Sequence, residues 1–273
     1  MPELPEVETV KETLKRQILD KKIASVDVYY ERIVHNLSAK TFKSELTGQI
    51  LIDIKRRGKY IFFYFDKNVL VIHLRMEGKF FVKKADDPIE KHEHIIFHFT
   101  DGTDLRYHDV RKFGTMEIMH HGEELSAKGV DKLGFEPFDA EFTLDYLKAK
   151  ITPSKRPIKS ILLDQTVIAG LGNIYVDEVL FLSQIDPKRP GSSITDTEFI
   201  NISVYSKQVL TKAIELGGST IRSYVSSLGV TGRFQNELKV HTKEGEPCLV
   251  CGTLIRKTKV GGRGTYYCPT CQK

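Results

Sequence analysis

Residues 59–75, KYIFFYFDKNVLVIHLR, contain two short runs of aromatic and β-branched residues with a polar turn at residues 66–68 between them. Such runs are typical of β-strands, and the short turn indicates an antiparallel hairpin. Similar runs fill residues 22–119, about eight in all, and turn residues such as the Asp101-Gly102 pair separate them. The spacing therefore predicts an antiparallel β-sandwich.

The sequence on both sides of these strands has helical periodicity. From about Phe142 onward, four segments repeat apolar residues at helical spacing, and the last has Thr195 and Glu198 at the spacing of a capping box. A helix also precedes the strands, with apolar residues on one face: Val7, Val10, Leu14 and Ile18. We therefore expect an α+β, multi-domain fold with an N-terminal helix, a β-sandwich and a C-terminal helical domain.

The composition is that of an ordinary globular protein. The chain has 273 residues, of which 40% are hydrophobic and 28% charged, so the bulk is not disordered and about two domains are expected. No run approaches the roughly 18 apolar residues that cross a bilayer, and the N-terminal MPELPEVETV is acidic where a signal peptide is basic. These features predict a soluble, cytoplasmic protein.

The net charge of +5 comes from the C-terminal tail. Residues 231–273 contain eight basic and three acidic residues, and the remaining 33 basic and 33 acidic residues balance. This distribution fits a module that contacts phosphates, although a solvated basic tail is the alternative.

All four cysteines form two close pairs in this tail. Cys248 and Cys251 are separated by two residues, as are Cys268 and Cys271, and sixteen residues lie between the pairs. This spacing is typical of a zinc ribbon, in which two knuckles place four thiolates around one structural Zn²⁺ ion. The expected cytoplasmic location disfavours disulfides.

The N-terminus is a candidate nucleophile. Met1 precedes the small residue Pro2, so we expect its removal to expose a secondary amine, which attacks an aldehydic carbon to give a charged iminium. Glu3 and Glu6 lie beside it. For Glu6 and Glu8 the alternative is that they are acids on a surface turn that complement a helix dipole.

Several donors and aromatic residues in the strand region are compatible with nucleic-acid binding. Lys59 lies in the basic turn KRRGKY, and His92, Arg111 and Phe113 stand near strand ends. With Met76, the residues Arg111 and Phe113 could fill the space that an extruded base leaves in a duplex. In the structural interpretation, Phe113 belongs to the core, and His92 and His94 of KHEH are satisfied strand residues.

Together these motifs resemble the formamidopyrimidine-DNA glycosylase family along essentially the whole chain. The resemblance rests on the following stretches: PELPEVET, RRGKY, HLRMEGKF, EKHEH, DVRKFG, AGLGNIYVDEVLF, CLVCG and GGRGTYYCPTCQK. It implies a β-sandwich joined by a hinge to a helix-two-turns-helix domain and a zinc ribbon, with DNA held in the cleft. The corresponding divisions are residues 1–134, 135–150, 151–236 and 237–273.

The resemblance also implies catalytic roles. Pro2 matches the nucleophile that attacks C1′ of the damaged nucleotide, and Glu3 matches the proton donor at the deoxyribose. Lys59 resembles the residue that assists β-elimination, and Arg263 resembles the residue assigned to δ-elimination. Glu6 is implied as a nearby acid. The implied enzyme is a monomeric base-excision repair glycosylase and abasic-site lyase that binds double-stranded DNA.

Further positions match the family's DNA-binding residues. These are His92, Arg111, Lys155 and Asn173. Met76, Arg111 and Phe113 match the triad that fills the duplex, with Arg111 facing the orphan cytosine. Together with Leu4, this triad favours oxidised purines (8-oxoguanine and formamidopyrimidines) over the oxidised pyrimidines of the related endonuclease VIII.

The sequence departs from the family pattern at one position, and two alternative functions stay open. A tyrosine commonly occupies the place of His241, so a phenol contact expected there is in doubt. Residues 218–235 resemble a loop that closes over the flipped lesion. A non-catalytic protein that binds damaged DNA is the first alternative function, and a structural role of the zinc ribbon in translation is the second.

Overall fold

The computed structural model describes residues 1–219 and 232–273. The chain forms two compact units: Met1–Asp131 with Ser219–Gly232, called here the N-terminal unit, and Lys132–Gly218 with Arg233–Lys273, called the C-terminal unit. Most of the loop expected to close over a lesion lies outside the described residues.

The N-terminal unit begins with helix α1 (Leu4–Ile18), and its predicted apolar stripe is buried. Two four-stranded antiparallel sheets follow, with the orders β1-β6-β7-β5 and β2-β3-β4-β8. A further helix, α2 (Ala39–Leu46), separates the first two strands. The strands are β1 (Ile23–Val28), β2 (Leu51–Arg57), β3 (Tyr60–Phe65), β4 (Asn68–His73), β5 (Lys79–Lys84), β6 (Glu93–Phe99), β7 (Thr103–His108) and β8 (Thr115–His120). The predicted antiparallel sandwich is confirmed.

The core of this unit is built from apolar side chains of both sheets and of α1. One ring contact links the sheets, since the ring of Phe63 in β3 lies 5.6 Å from that of Phe80 in β5, and Phe80 lies 5.2 Å from the ring of its cross-strand neighbour Tyr107. All three side chains are at most 2% exposed.

A charged side chain, Arg106 of β7, is also completely buried. Its guanidinium donates to Asp104 Oδ2 at 3.0 Å and to Glu93 Oε2 at 3.1 Å, and also to three backbone carbonyls between residues 84 and 88. Buried charges persist only where such partners surround them. The network therefore fixes the start of the segment that leads to His92.

The C-terminal unit contains four α-helices and a two-stranded antiparallel sheet within its described residues. The helices are α3 (Leu144–Ile151), α4 (Ile158–Leu162), α5 (Asn173–Leu182) and α6 (Asp196–Glu215), and the strands are β9 (Arg256–Val260) and β10 (Arg263–Tyr267). The predicted capping box of α6 is present, because the Thr195 amide donates to Glu198 Oε2 at 2.8 Å and the Glu198 amide donates to Thr195 Oγ1 at 3.3 Å.

The expected α+β, multi-domain class is confirmed, whereas the finer division at residues 134, 150 and 236 stays a prediction. Among the helices described, none is both long enough and apolar enough to span a membrane.

We expect Phe63→Ala to lower the free energy of unfolding by about 3–5 kcal/mol, because it leaves a cavity where the sheets meet. Phe113→Ala is the matched control, since the Phe113 side chain is 52% exposed and its loss should change stability by less than about 0.5 kcal/mol. Urea unfolding followed by circular dichroism measures both, and equal effects would contradict this account of the core.

Candidate functional site

The start of α1 is buried. Pro2 and Glu3 precede the helix and Glu6 lies in its first turn, and all three are buried. Glu6 Oε2 accepts a hydrogen bond from the Glu3 amide at 2.8 Å, and Oε1 accepts one from the Ser219 amide at 2.7 Å. Glu6 therefore ties the N-terminus to residue 219, and its interpretation as an acid on a surface turn is wrong.

The surroundings of the N-terminal amine favour its neutral form. Burial lowers the pKa of the Met1 amine, although the carboxylates of Glu3 and Glu6 oppose this effect, and the positive charge of Lys59 lowers the pKa further. A neutral amine is the nucleophilic form. The site therefore raises the reactive fraction of an amine near pH 7.

Lys59 lies in the tight turn between β2 and β3, and only 3% of it is exposed. Gly58 before it has a φ of +57°, which glycine adopts without strain. Arg56 donates to the Gly58 carbonyl at 3.0 Å and to Glu8 Oε2 at 2.8 Å. The turn is therefore braced against α1, and Lys59 is not an ordinary surface lysine.

His73, which the sequence analysis did not single out, is the last residue of β4 and lies beside this turn. Its ring packs edge-on against Tyr60 at 4.5 Å, and its Nδ1 accepts a hydrogen bond from the Arg75 amide at 2.9 Å. Burial, and then the positive charges of Arg75 and Lys59, lowers the pKa of His73 to about 3. His73 is therefore neutral at physiological pH.

Met76, Arg111 and Phe113 lie on two loops, one between β4 and β5 and the other between β7 and β8. Their side chains are exposed, Met76 by 36% and Phe113 by 52%, so the assignment of Phe113 to the core is wrong. The Arg111 guanidinium lies 4.7 Å from the centre of the Phe113 ring, a cation–π geometry. The two loops thus present an apolar and a cationic group to solvent.

The histidines near β6 divide into two kinds. His94 is buried in the strand, and its Nε2 is hydrogen-bonded to the Asp109 carbonyl at 2.9 Å. His92 precedes the strand with a φ of +74°, and its ring lies 6.1 Å from that of His94. His94 is therefore a satisfied strand residue, whereas His92 lies just outside the strand.

In the C-terminal unit, the Gly264 carbonyl joins the β9–β10 hairpin to two helices. It accepts hydrogen bonds from Asn173 Nδ2 at 3.0 Å and from Lys159 Nζ at 2.9 Å. Lys159 is fully buried and pairs with Asp177 Oδ1 at 2.7 Å. The fold thus brings Asn173, at the first residue of α5, close to the turn that carries the exposed Arg263.

His241 occupies a buried position on the same network. Its Nδ1 lies 2.8 Å from Asp177 Oδ2, its ring packs against Tyr266 at 4.9 Å, and its amide donates to Glu178 Oε1 at 2.9 Å. In this chain an imidazole bonded to a carboxylate therefore replaces the phenol that the resemblance implied.

Lys155, by contrast, is exposed in the loop between α3 and α4.

The four cysteines converge at the base of the hairpin. Their Sγ atoms all lie within 4.8 Å of one another, with Cys248 and Cys271 3.9 Å apart and Cys251 and Cys268 3.4 Å apart. Tetrahedral zinc with Zn–S bonds of about 2.3 Å requires sulfurs about 3.8 Å apart. The cluster fits one structural Zn²⁺, and the zinc-ribbon prediction is confirmed.

Three buried residues that organise these sites are not among the functional residues predicted from the sequence. His73 is the last residue of an apolar strand and the first residue of HLRMEG. Asp109 lies two residues before Arg111 in DVRKFG, and Asp177 lies inside the apolar helix NIYVDEVLF. The sequence signal for such residues is a polar residue at the end of an apolar run or inside it. Because buried polar side chains have hydrogen-bond partners, such a residue indicates a partner elsewhere in the fold.

The chain matches three family descriptions in order along its length. They are the Formamidopyrimidine-DNA glycosylase N-terminal domain over residues 1–116, the Formamidopyrimidine-DNA glycosylase H2TH domain over residues 133–225, and the Zinc finger found in FPG and IleRS over residues 245–273.

Similar proteins cover the full length. A formamidopyrimidine-DNA glycosylase of Bacillus cereus (strain ATCC 10987) is 52% identical; the match covers 100% of this chain and 99% of the relative. A formamidopyrimidine-DNA glycosylase of Oceanobacillus iheyensis is 47% identical; the match covers 100% of this chain and 98% of the relative. A Lactococcus lactis FPG mutant in complex with DNA containing Fapy-dG has a TM-score of 0.94 at 44% identity and covers 100% of both chains. The Lactococcus lactis Fpg in complex with DNA containing an abasic site has a TM-score of 0.93 at 45% identity and covers 99% of both.

We expect the double variant Cys268→Ala/Cys271→Ala to lose its zinc, from about one ion per chain to near zero, because two thiolates cannot hold a structural zinc. Atomic emission spectroscopy of the purified protein measures the content. Val250→Ala, an exposed change between the other two cysteines, is the control and should keep the ion. Stoichiometric zinc in the double variant would contradict the site.

The lowered pKa of His73 should make stability depend on pH. Between about pH 6.5 and 3 the unfolded chain binds a proton that the folded chain does not, so stability falls as the pH drops through this window, by up to about 1.4 kcal/mol per pH unit. His73→Asn keeps an acceptor for the Arg75 amide but does not titrate. Urea unfolding between pH 7 and 4 should show a steeper fall for the parent chain than for this variant, whereas parallel curves would refute the assignment.

Proposed function

Because the chain belongs to the formamidopyrimidine-DNA glycosylase family, we propose that its nucleophile is the Pro2 amine exposed when Met1 is removed. The chain is a DNA glycosylase for oxidised purines, with the abasic-site lyase activity typical of this family. One observation carries the proposal: Pro2 is buried beside Glu3 at the start of α1, where burial and the positive charge of Lys59 lower the pKa of the amine that precedes it.

The chemistry of a secondary amine accounts for both activities. The Pro2 nitrogen bonds to C1′ of the damaged nucleotide, and the glycosidic bond breaks as the base leaves with its electron pair and a proton. Glu3 protonates the ring oxygen, so the deoxyribose opens and an iminium forms. The positive nitrogen acidifies C2′, and loss of that proton expels the 3′ phosphate. A second elimination expels the 5′ phosphate.

Three further residues are assigned to this reaction. Glu6 acts as the acid next to the site, since its carboxylate holds the Glu3 amide. Lys59 assists the first elimination and binds the adjoining phosphate, which fits a cation held near the amine by a braced turn. Arg263 serves the second elimination from the hairpin turn that Asn173 holds through Gly264.

The DNA contacts are assigned to side chains on loops and at the start of a helix. We assign phosphate contacts to His92, Lys155 and Asn173, a reading that the exposed position of Lys155 and the helix N-terminus at Asn173 support. Met76 and Phe113 would fill the space of the flipped nucleotide while Arg111 faces the orphan cytosine. Their exposure on two loops supports this role, and with Leu4 they favour oxidised purines.

Organisation and location complete the proposal. We propose that the protein works as a monomer on double-stranded nucleoid DNA in the bacterial cytoplasm, since the similar proteins are bacterial. We keep the division into residues 1–134, 135–150, 151–236 and 237–273 as a proposal; the order of the three family matches supports the order of its domains.

Borohydride trapping tests the nucleophile. On a duplex with 8-oxoguanine opposite cytosine, reduction of the iminium should give a stable adduct whose peptide map ends at Pro2. Pro2→Gly, whose primary amine is a different nucleophile, should reduce the yield at least about tenfold, in the range typical for a lost catalytic group. Peptide mapping by mass spectrometry reads the attachment site.

The control duplexes are one without damage and one with an oxidised pyrimidine. Trapping only on the oxidised pyrimidine would move the chain to the endonuclease VIII type of substrate. Tight binding without any adduct would leave the non-catalytic DNA-binding function, and an undiminished yield with Pro2→Gly would exclude Pro2.

A further inference from the structure

We infer that the Tyr107 hydroxyl and the Asp109 carboxylate form a buried junction that sets the spacing between the loops carrying Met76 and Phe113. The inference rests on the proposed function, in which these loops fill the space left by a flipped base. Tyr107 and Asp109 are both 0% exposed, so they are positioning residues that do not touch DNA.

Asp109 organises the loop that follows β7. Its Oδ1 accepts a hydrogen bond from the Arg111 amide at 3.0 Å, and its Oδ2 accepts from the amides of Phe113 and Gly114, both at 2.9 Å. One carboxylate thus satisfies three amides of a loop that belongs to neither sheet. Because charge-assisted hydrogen bonds are the stronger kind, the backbone beneath Arg111 and Phe113 is held in one conformation.

Tyr107 connects this loop to the one that carries Met76. Its hydroxyl donates to Asp109 Oδ2 at 3.3 Å. A Cβ added to Gly114 would lie 1.7 Å from the Tyr107 hydroxyl oxygen, and one added to Gly78 would lie 2.4 Å from it. The backbones of both loops therefore pack directly on the same hydroxyl, an approach that only glycine permits.

The backbone of Asp109 extends the junction to the histidines of β6. Its amide donates to the His92 carbonyl at 3.0 Å, and its carbonyl is hydrogen-bonded to His94 Nε2 at 2.9 Å. His92, assigned above to a phosphate, is thus fixed relative to the loop that enters the duplex. A single buried residue sets the register between a phosphate contact and the base-facing group.

The exposed side chains depend on this buried support. Arg111 already stacks on Phe113 at 4.7 Å, so the two move together. A misplacement of about 1 Å at a reacting complex can cost up to about 100-fold in rate. A shift of either loop would therefore change how Met76 and Phe113 fit a base stack and where Arg111 meets the opposite base.

Two variants disrupt the hydrogen bonds of the junction without removing an apolar side chain from the core. Tyr107→Phe deletes only the hydroxyl, and Asp109→Asn replaces one acceptor oxygen by an amide that faces backbone donors. The matched control is Tyr64→Phe, because the Tyr64 hydroxyl also bonds a carboxylate of this unit, Glu124 at 2.8 Å, away from both loops.

The decisive measurement is opposite-base selectivity, the ratio of kcat/KM for 8-oxoguanine opposite cytosine to that opposite adenine. We expect this ratio to fall about fivefold in Tyr107→Phe and at least about tenfold in Asp109→Asn, the effect of losing one buried hydrogen bond and of leaving donors unpaired. Borohydride trapping on an abasic site in single-stranded DNA has no opposite base, so it should stay within about twofold of the parent. Tyr64→Phe should change neither readout.

Two results would overturn the inference. Selectivity within twofold of the parent in both variants would show that the junction does not position the loops. An equal loss on every substrate, including the single-stranded abasic site, would show that it serves stability alone. Arg111→Ala tests the proposed function separately from the junction. If this variant leaves the selectivity ratio unchanged, the proposed role of Arg111 is wrong, whatever the two junction variants show.

Discussion

A carboxylate that leaves water must be surrounded by hydrogen-bond donors, and this requirement shapes each functional region of the protein. Glu6, Asp109 and Glu178 are each at most 5% exposed, and all three use backbone amides as donors. Each carboxylate gathers chain segments that would otherwise be irregular. The N-terminus, the loop of Arg111 and the segment before the zinc hairpin are held in this way.

The same logic extends to buried cations. Arg106 and Lys159 are completely buried; Arg106 binds two carboxylates and three backbone carbonyls, and Lys159 binds the Asp177 carboxylate and the Gly264 carbonyl. Arg106 fixes the segment before His92, while Lys159 fixes the turn beside Arg263. Several of the candidate side chains thus lie on loops or at the ends of helices and strands, where buried charges bind the backbone. A site that must meet a developing charge or a base stack benefits from such prior organisation.

Much of the fold could be predicted because it depends on neighbours in sequence. The alternating runs of β1 to β8, the apolar stripe of α1 and the capping box at Thr195 follow from backbone periodicity. The cysteine spacing likewise predicted the zinc site, since each knuckle is local. By contrast, the lowered pKa of His73 depends first on burial and also on Lys59, which comes close only because β3 and β4 pair.

The sequence by itself determined the class of fold, the zinc ligands and, through the motifs that resemble a glycosylase family, the candidate groups of the site. Only the tertiary structure decided which of those groups are buried and what they bond. Glu6 meets Ser219 across 213 residues, and Asn173 meets Gly264 across 91. The physical reason is that strand and helix patterns arise from short-range backbone geometry, whereas burial and hydrogen-bond partners depend on distant segments that only the folded chain brings together.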